Sequence, residues 1–279
     1  MATQKMIEEN SPSIWLKLWP RKTATSHKYT HGHTLVMGGP AHSTGASRLA
    51  AIAALRVGSG LVSIGCTDDA LPIYASSLLS VMTKRVNNAA DLGRILHDTH
   101  LRAVLVGPGL GVGDETQQCT LRILSHHTPC VVDADAITSF AAAPSVLFSA
   151  IKSPVILTPH EAEFCRLFGA ITNRSEAVCA AAHESGATVI LKGHDTLIAS
   201  PDGRLTINRA ASPALATAGT GDVLAGLVTG LLCQGMPAHE AACAGVWLHA
   251  QAAKILGAGM IAEDLLSAIP EVLRELLDQ

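Results

Sequence analysis

The chain has 279 residues, of which 48% are hydrophobic, 15% charged and 3% aromatic. A net charge of −3 and a shortage of aromatic rings exclude a nucleic-acid surface, which needs basic patches or stacking platforms. The apolar content excludes global disorder and leaves a core of Ala, Val, Leu and Ile to be built.

Residues 1–25 read as an N-terminal arm. In it Trp15 and Trp19 stand i, i+4 before Pro20 ends any helix, and their rings are available to dock on the body or on another subunit. From residue 26 to 279 the pattern is that of one α/β domain. Thr34–Met37 predicts a strand that runs into Gly38-Gly39. Ala46–Val57 predicts a helix stopped by Gly58, and Leu61–Cys66 another strand. Ala103–Val106 follows, ending in Gly107-Pro108-Gly109-Leu110-Gly111; then come Cys130–Asp133, Val155–Thr158, Thr188–Lys192 and Thr196–Ala199. Ser200-Pro201-Asp202-Gly203 predicts a hairpin turn into Leu205–Asn208. Three helices are expected at about 222–233, 238–256 and 262–277. Apolar strands alternating with helices give a mostly parallel sheet covered on both faces, with antiparallel edge strands from the late hairpin. No segment reaches the ~20 apolar residues of a membrane span. The N-terminus carries Glu8 and Glu9 and no apolar core, and the seven cysteines contain no C-x-x-C pair. The expected compartment is therefore reducing and cytoplasmic. The low charge content also points to surface buried against other subunits.

In such a fold ligands gather at the carboxyl ends of the strands, so the polar residues there carry the chemistry. Ala216-Thr217-Ala218-Gly219-Thr220-Gly221-Asp222 leads straight into an apolar helix. Its converging amides and helix dipole suit a phosphate. Asp222 then reads either as a helix cap or as a general base that takes a proton from a substrate hydroxyl. Thr158-Pro159-His160-Glu161-Ala162-Glu163 places His160 and Glu163 i, i+3 on one face of a helix. They are either a surface ion pair, or a substrate contact beside a carboxylate holding a hydrated Mg²⁺. Lys192-Gly193-His194-Asp195-Thr196 is a plain turn, or a phosphate site in which Lys192 and the Thr196 hydroxyl contact the anion. The glycine turns at 38–46 and 107–111 match neither G-x-G-x-x-G nor a P-loop. They read as close approach to a ligand or as tight strand-to-helix turns. Asp133 and Asp135 read as caps and turn-formers.

Taken together, these segments resemble the ribokinase-like superfamily and, within it, the ADP-dependent NAD(P)H-hydrate dehydratases. The resembling stretches include Ser26-His27-Lys28, Gly38-Gly39 with Thr44-Gly45-Ala46, Val106–Gly111, Val132–Ala136, Leu157–His160, Leu191-Lys192-Gly193 and Leu215–Gly226. The resemblance implies a ribokinase-like fold. It implies dehydration of the S forms of NADHX and NADPHX, with ADP consumed, AMP released and Mg²⁺ as cofactor. It also implies a homotetramer. Relatives often carry an N-terminal epimerase domain, and with about 25 residues before the first motif this chain is expected to rely on a separate NAD(P)HX epimerase, or on none. Carried onto matching positions, Ala46, Gly109, His160 and Asp222 contact the hydrated dinucleotide. Lys192, Gly193, His194, Asp195, Thr196 and Gly221 hold the AMP portion, and Glu163 matches the superfamily's metal-associated carboxylate through water. The sequence departs from the family at Glu161-Ala162, where Pro-Gly is usual, and at Ala210-Ala211-Ser212, where Thr-Gly-Asn is usual. It departs again at Tyr29, where Gly is common. Two other readings are an ATP-dependent kinase of a small alcohol, similar to the hydroxyethylthiazole kinases, and a non-catalytic adenylate sensor.

Overall fold

The computed structural model describes residues 7–21, 23 and 26–278. In chain order its elements are β1 (Glu8–Glu9), α1 (Pro12–Trp15), β2 (His33–Met37), α2 (Gly45–Arg56), β3 (Leu61–Cys66), α3 (Leu71–Ser77), β4 (Met82–Arg85) and α4 (Ala89–Leu96). There follow β5 (Leu101–Val106), α5 (Asp114–Leu124), β6 (Cys130–Val132), α6 (Ala134–Ser139), α7 (Pro144–Ala150), β7 (Val155–Leu157), α8 (Glu161–Phe168) and α9 (Arg174–Ser185). The last are β8 (Thr188–Leu191), β9 (Thr196–Ala199), β10 (Leu205–Asn208), α10 (Thr220–Cys233), α11 (Ala238–Leu256) and α12 (Ala262–Leu277).

The strands form one sheet in the order β1-β10-β9-β8-β7-β6-β5-β2-β3-β4. From β8 to β4 every pairing is parallel, whereas β9 runs antiparallel to both neighbours. Successive strand residues go to opposite layers, as a period of two requires. Leu35, Val104, Val132 and Leu157 pack with helices α4 to α9. Val36, Leu105, Val131 and Ile156 pack with α2, α10, α11 and α12. Both faces are covered, which is why the strands read as nearly unbroken apolar runs. Among the described residues no helix is long and apolar enough to cross a membrane.

Two strands were not legible in the sequence. β4 carries Lys84 and Arg85 on a largely exposed outer edge, so it lacks an apolar run, and charges there discourage edge-to-edge pairing. β1 pairs parallel with β10, so the late hairpin is not the edge of the sheet as expected; the arm covers it. Asn10 fixes that arm. Its side-chain amide donates to Asn208 Oδ1 (3.0 Å) and to the Cys243 carbonyl (2.8 Å). Trp15 is fully buried, with its ring 5.6 Å from that of Trp247 on α11 and 5.8 Å from that of Trp19. The described arm residues therefore dock on the chain's own body; positions 1–6, 22, 24 and 25 lie outside the described residues.

Two features of this architecture place the site. First, β2 lies between β5 and β3, so the chain reverses its direction of growth between β2 and β5. The loops after these two strands lead to opposite layers, α2 in one and α5 in the other, and leave a crevice at their carboxyl ends. Second, α10 lies directly on α2. A Cβ on Gly226 would stand 2.2 Å from the Ala50 carbonyl oxygen, so only glycine permits this approach. That contact holds the first turn of α10 over the strand ends.

Candidate active site

The carboxyl ends of β6, β7 and β8 and the start of α10 converge on Lys192. Its Nζ lies 3.0 Å from Asp133 Oδ1, and a Cβ on Gly221 would stand 3.6 Å from the same nitrogen. Asp133 is buried at the end of β6. The chain leaves it through Ala134, whose φ of +49° is an uncommon conformation for a residue with a Cβ. Asp133 stands at the N-cap of α6 but makes no capping hydrogen bond, because its carboxylate is engaged with Lys192. The sequence reading of Asp133 as a cap missed this role. The partners are 59 residues apart, and only the sheet order brings them together.

Glu163 and Asp222 complete the cluster. Burial pushes the Asp222 carboxyl up to about 7; the negative charge of Asp133 adds to this and Lys192 opposes it. Burial also raises Glu163, against the pull of Lys192. For Lys192 burial works the other way, but Asp133 and Glu163 outweigh it and hold the ammonium above its ordinary value. Asp222 enters no hydrogen bond or ion pair among the described residues. It is not the cap of α10 either. That position belongs to Gly219, which takes the left-handed φ of +88°.

His160 precedes α8 instead of riding on its face, a correction to the helical reading. It is the N-cap: its Nδ1 accepts from Ala162 N–H (3.1 Å) and Glu163 N–H (3.2 Å). Glu163 Oε2 accepts the His160 N–H in return (2.8 Å), closing a capping box, and Oε1 lies 3.3 Å from His160 Nε2. Backbone at this strand end therefore aims both side chains. The half-exposed imidazole faces outward and the carboxylate faces Lys192.

The 192–196 turn is clamped from several sides. Thr196 Oγ1 donates to the Gly193 carbonyl (3.1 Å), which holds the hydroxyl at the turn. Asp195 Oδ1 accepts from Ala210 N–H (2.9 Å), and Ala211 N–H donates to the His194 carbonyl (2.8 Å). Arg174 donates to the Asp195 carbonyl (3.3 Å) and pairs with Glu161 (2.6 Å). The two segments that depart from the usual pattern, 161–162 and 210–212, thus brace the turn. The His194 side chain stays open to solvent.

Ala46 and Gly109 meet at the switch-point crevice. A Cβ on Gly109 would lie 3.5 Å from Ala46 Cβ, and one on Gly39 would lie 2.1 Å from the Gly109 carbonyl oxygen. Gly111 N–H donates to Asp135 Oδ2 (2.9 Å), which ties that loop to α6. One further neighbour was hidden in an apolar helical run. His249 on α11 is buried beside the Thr220 backbone and lies within reach of the Lys192 charge. Burial pushes it down to about 4, so it is neutral.

The cluster sets three carboxylates against one ammonium, which suits a polyphosphate only if a further cation enters with it. Among the described residues no three His, Cys, Asp or Glu side chains are grouped to cage a metal alone. Hard oxygen donors beside a helix start whose free amides suit an anion fit Mg²⁺, which takes one or two carboxylates together with ligand phosphates and water. The arrangement offers a carboxylate poised near neutral pH, an anion site and a lysine at one point. Deprotonation of a hydroxyl next to a transferring phosphoryl group needs that combination.

Comparison with known proteins gives the same direction. A family model described as NAD(P)H-hydrate dehydratase matches residues 34–271. The chain is similar to the ADP-dependent (S)-NAD(P)H-hydrate dehydratase of Neisseria meningitidis, with 41% identity over 87% of this chain and 85% of that protein. It is 36% identical, over its whole length, to the bifunctional NAD(P)H-hydrate repair enzyme Nnr of Moorella thermoacetica, of which it spans 56%. Among solved structures it resembles the ADP/ATP-dependent NAD(P)H-hydrate dehydratase of Bacillus subtilis co-crystallized with ATP/Mg²⁺. The TM-score is 0.84 and the identity 29%, over 99% of this chain and 100% of that one.

Proposed function

This chain belongs to the NAD(P)H-hydrate dehydratase family, and we propose from that membership and its site that it returns the S forms of NADHX and NADPHX to NADH and NADPH while ADP becomes AMP. The observation that carries the reaction is Asp222. It is a half-buried carboxylate, raised to about 7, without a hydrogen bond among the described residues, at the first turn of the helix whose amides face the phosphate site.

Hydroxide is a poor leaving group, so the ring hydroxyl must first be converted into a better one. Asp222 takes the hydroxyl proton as that oxygen attacks the terminal phosphorus of ADP. The bond from this phosphorus to the bridging oxygen breaks, and AMP departs. The ring nitrogen lone pair then expels phosphate, a ring proton is lost, and the reduced nicotinamide is restored. The balance is NAD(P)HX plus ADP giving NAD(P)H, AMP and inorganic phosphate. Gly219, Thr220 and Gly221 amides and Lys192 stabilise the charge on the moving phosphoryl group. Lys192, Gly193, His194, Asp195, Thr196 and Gly221 hold the AMP portion, chiefly through the braced backbone of the turn. Ala46, Gly109 and His160 receive the dinucleotide. Mg²⁺, when bound, neutralises phosphate charge; Glu163, through water, and the phosphates themselves would hold it. The preference for the S form makes an epimerase the functional partner, and the assembly is a homotetramer. The kinase reading is less supported, since the matching relatives are named as dehydratases.

The test is Asp222→Asn. Turnover of (S)-NADHX with ADP and Mg²⁺ is expected to fall by roughly 10²–10⁴, the usual worth of a general base, with AMP binding nearly intact. Full activity in this variant refutes the assignment.

A further inference from the structure

A second cavity lies beside the cluster and has no part in the chemistry above. It measures about 470 Å³ and opens at the carboxyl ends of β2, β3 and β4, between α4 and α5. Neither Asp222, Lys192 nor Glu163 lines it. Gly38, Pro40 and Leu110 do, and these belong to the two loops whose Gly39 and Gly109 make the switch-point crevice beside Ala46. Cavity and crevice therefore share a border.

The lining mixes apolar side chains with polar ones, the Glu115 carboxylate among them. Met37 and Val86 offer apolar surface to a planar base, while Asn87, Gln118 and Arg122 offer amide and guanidinium groups to ring nitrogens, hydroxyls and phosphate. The volume lies within the range of small-ligand pockets, about 300–1,000 Å³, and toward its lower end. The position also fits. Neighbouring strands are about 4.8 Å apart, so the cavity over β2 and β3 is roughly 10–14 Å along the sheet from Asp133 at the end of β6. The 192–196 turn on β8 lies about 24 Å from β3 by the same spacing, too far for a nucleotide held there to use this cavity.

A dinucleotide whose reacting ring sits at Asp222 must send its other half out of the crevice. We infer that the cavity between α4 and α5 holds the adenosine half of the hydrated dinucleotide. This inference rests on the dehydratase reading. It makes Gln118 and Arg122 recognition residues remote from the chemistry, whose binding energy anchors the ring at Asp222.

The test compares reduced NAD with reduced nicotinamide mononucleotide, which lacks the adenosine half. Binding of each, with AMP present, is followed by reduced-nicotinamide fluorescence. Wild type is expected to bind the dinucleotide at least tenfold more tightly. Gln118→Trp, which fills the mouth of the cavity, and Arg122→Ala are expected to shrink that advantage to less than threefold while mononucleotide affinity stays within twofold. Thermal unfolding establishes that each variant is folded. An undiminished advantage in both variants, or equal loss for both ligands, overturns the inference, as does a selective rise in the KM for ADP. Failure of the dehydratase reading shows itself separately, as absence of (S)-NADHX turnover by wild type.

Discussion

A proposed base with a raised carboxyl makes a prediction about pH. With the Asp222 carboxyl at about 7, the free enzyme is expected to gain kcat/KM as pH rises and to level off above that value, because the proposed base must be ionised. Stability runs the other way. An ordinary aspartate titrates near 3.9, so between about pH 4 and 7 the native state keeps a proton that the unfolded chain has released. The contribution of Asp222 to stability is therefore lost as pH rises through this window. Asp222→Asn should accordingly raise Tm at pH 8 and change it little at pH 4, by roughly 2–4 °C per kcal/mol relieved. The Lys192–Asp133 pair predicts the opposite kind of change. Removing only Lys192, as Lys192→Met, leaves Asp133 buried without its cation. It should cost about 3–5 kcal/mol in denaturant melts, and the double variant Lys192→Met with Asp133→Leu should recover much of it. Ala134→Gly relieves the left-handed strain and should stabilise the fold by about 1 kcal/mol with activity retained. Lys192, Glu163 and Asp222 could be singled out from the sequence because each follows a strand end or a glycine turn. Asp133 could not be recognised as the counter-ion of Lys192, since no local pattern announces a pairing across the sheet.

The element that aims the chemistry is α10, and its position depends on contact with α2. Alanine is favoured over glycine in a helix by about 1 kcal/mol, yet at Gly226 its methyl would collide with the Ala50 carbonyl. Gly226→Ala should therefore destabilise the protein by about 1–3 kcal/mol or more. It should also lower kcat by displacing Asp222, which denaturant midpoints and steady-state kinetics would register together. Most elements were legible in the sequence because their apolar periods are strong; α11 and α12 coincide with their expected bounds. β4 and β1 were not, since an exposed basic edge strand and a strand of two acidic residues have no apolar signature. The i, i+3 spacing of His160 and Glu163 predicts a shared helix face, because spacing alone does not separate an N-cap from the first turn.

At the scale of the whole molecule, strand order lay beyond the sequence, and it is strand order that creates the crevice between β2 and β5. The arm belongs to this scale too. Trp15→Ala removes a fully buried indole between Trp19 and Trp247 and should cost about 3–5 kcal/mol in a denaturant titration. The sparse surface charge and exposed apolar side chains such as Ile255 and Ile261 accord with assembly, and a homotetramer would register in solution at four times the 28.9 kDa chain mass. The most direct trial of the central claim is incubation of (S)-NADHX with the enzyme, Mg²⁺ and ADP, following the near-ultraviolet absorbance of reduced nicotinamide. Absorbance is expected to return with one AMP and one phosphate formed per NADH, and Asp222→Asn is expected to slow that return by roughly 10²–10⁴. No recovery with wild type, or recovery without AMP formation, would contradict it.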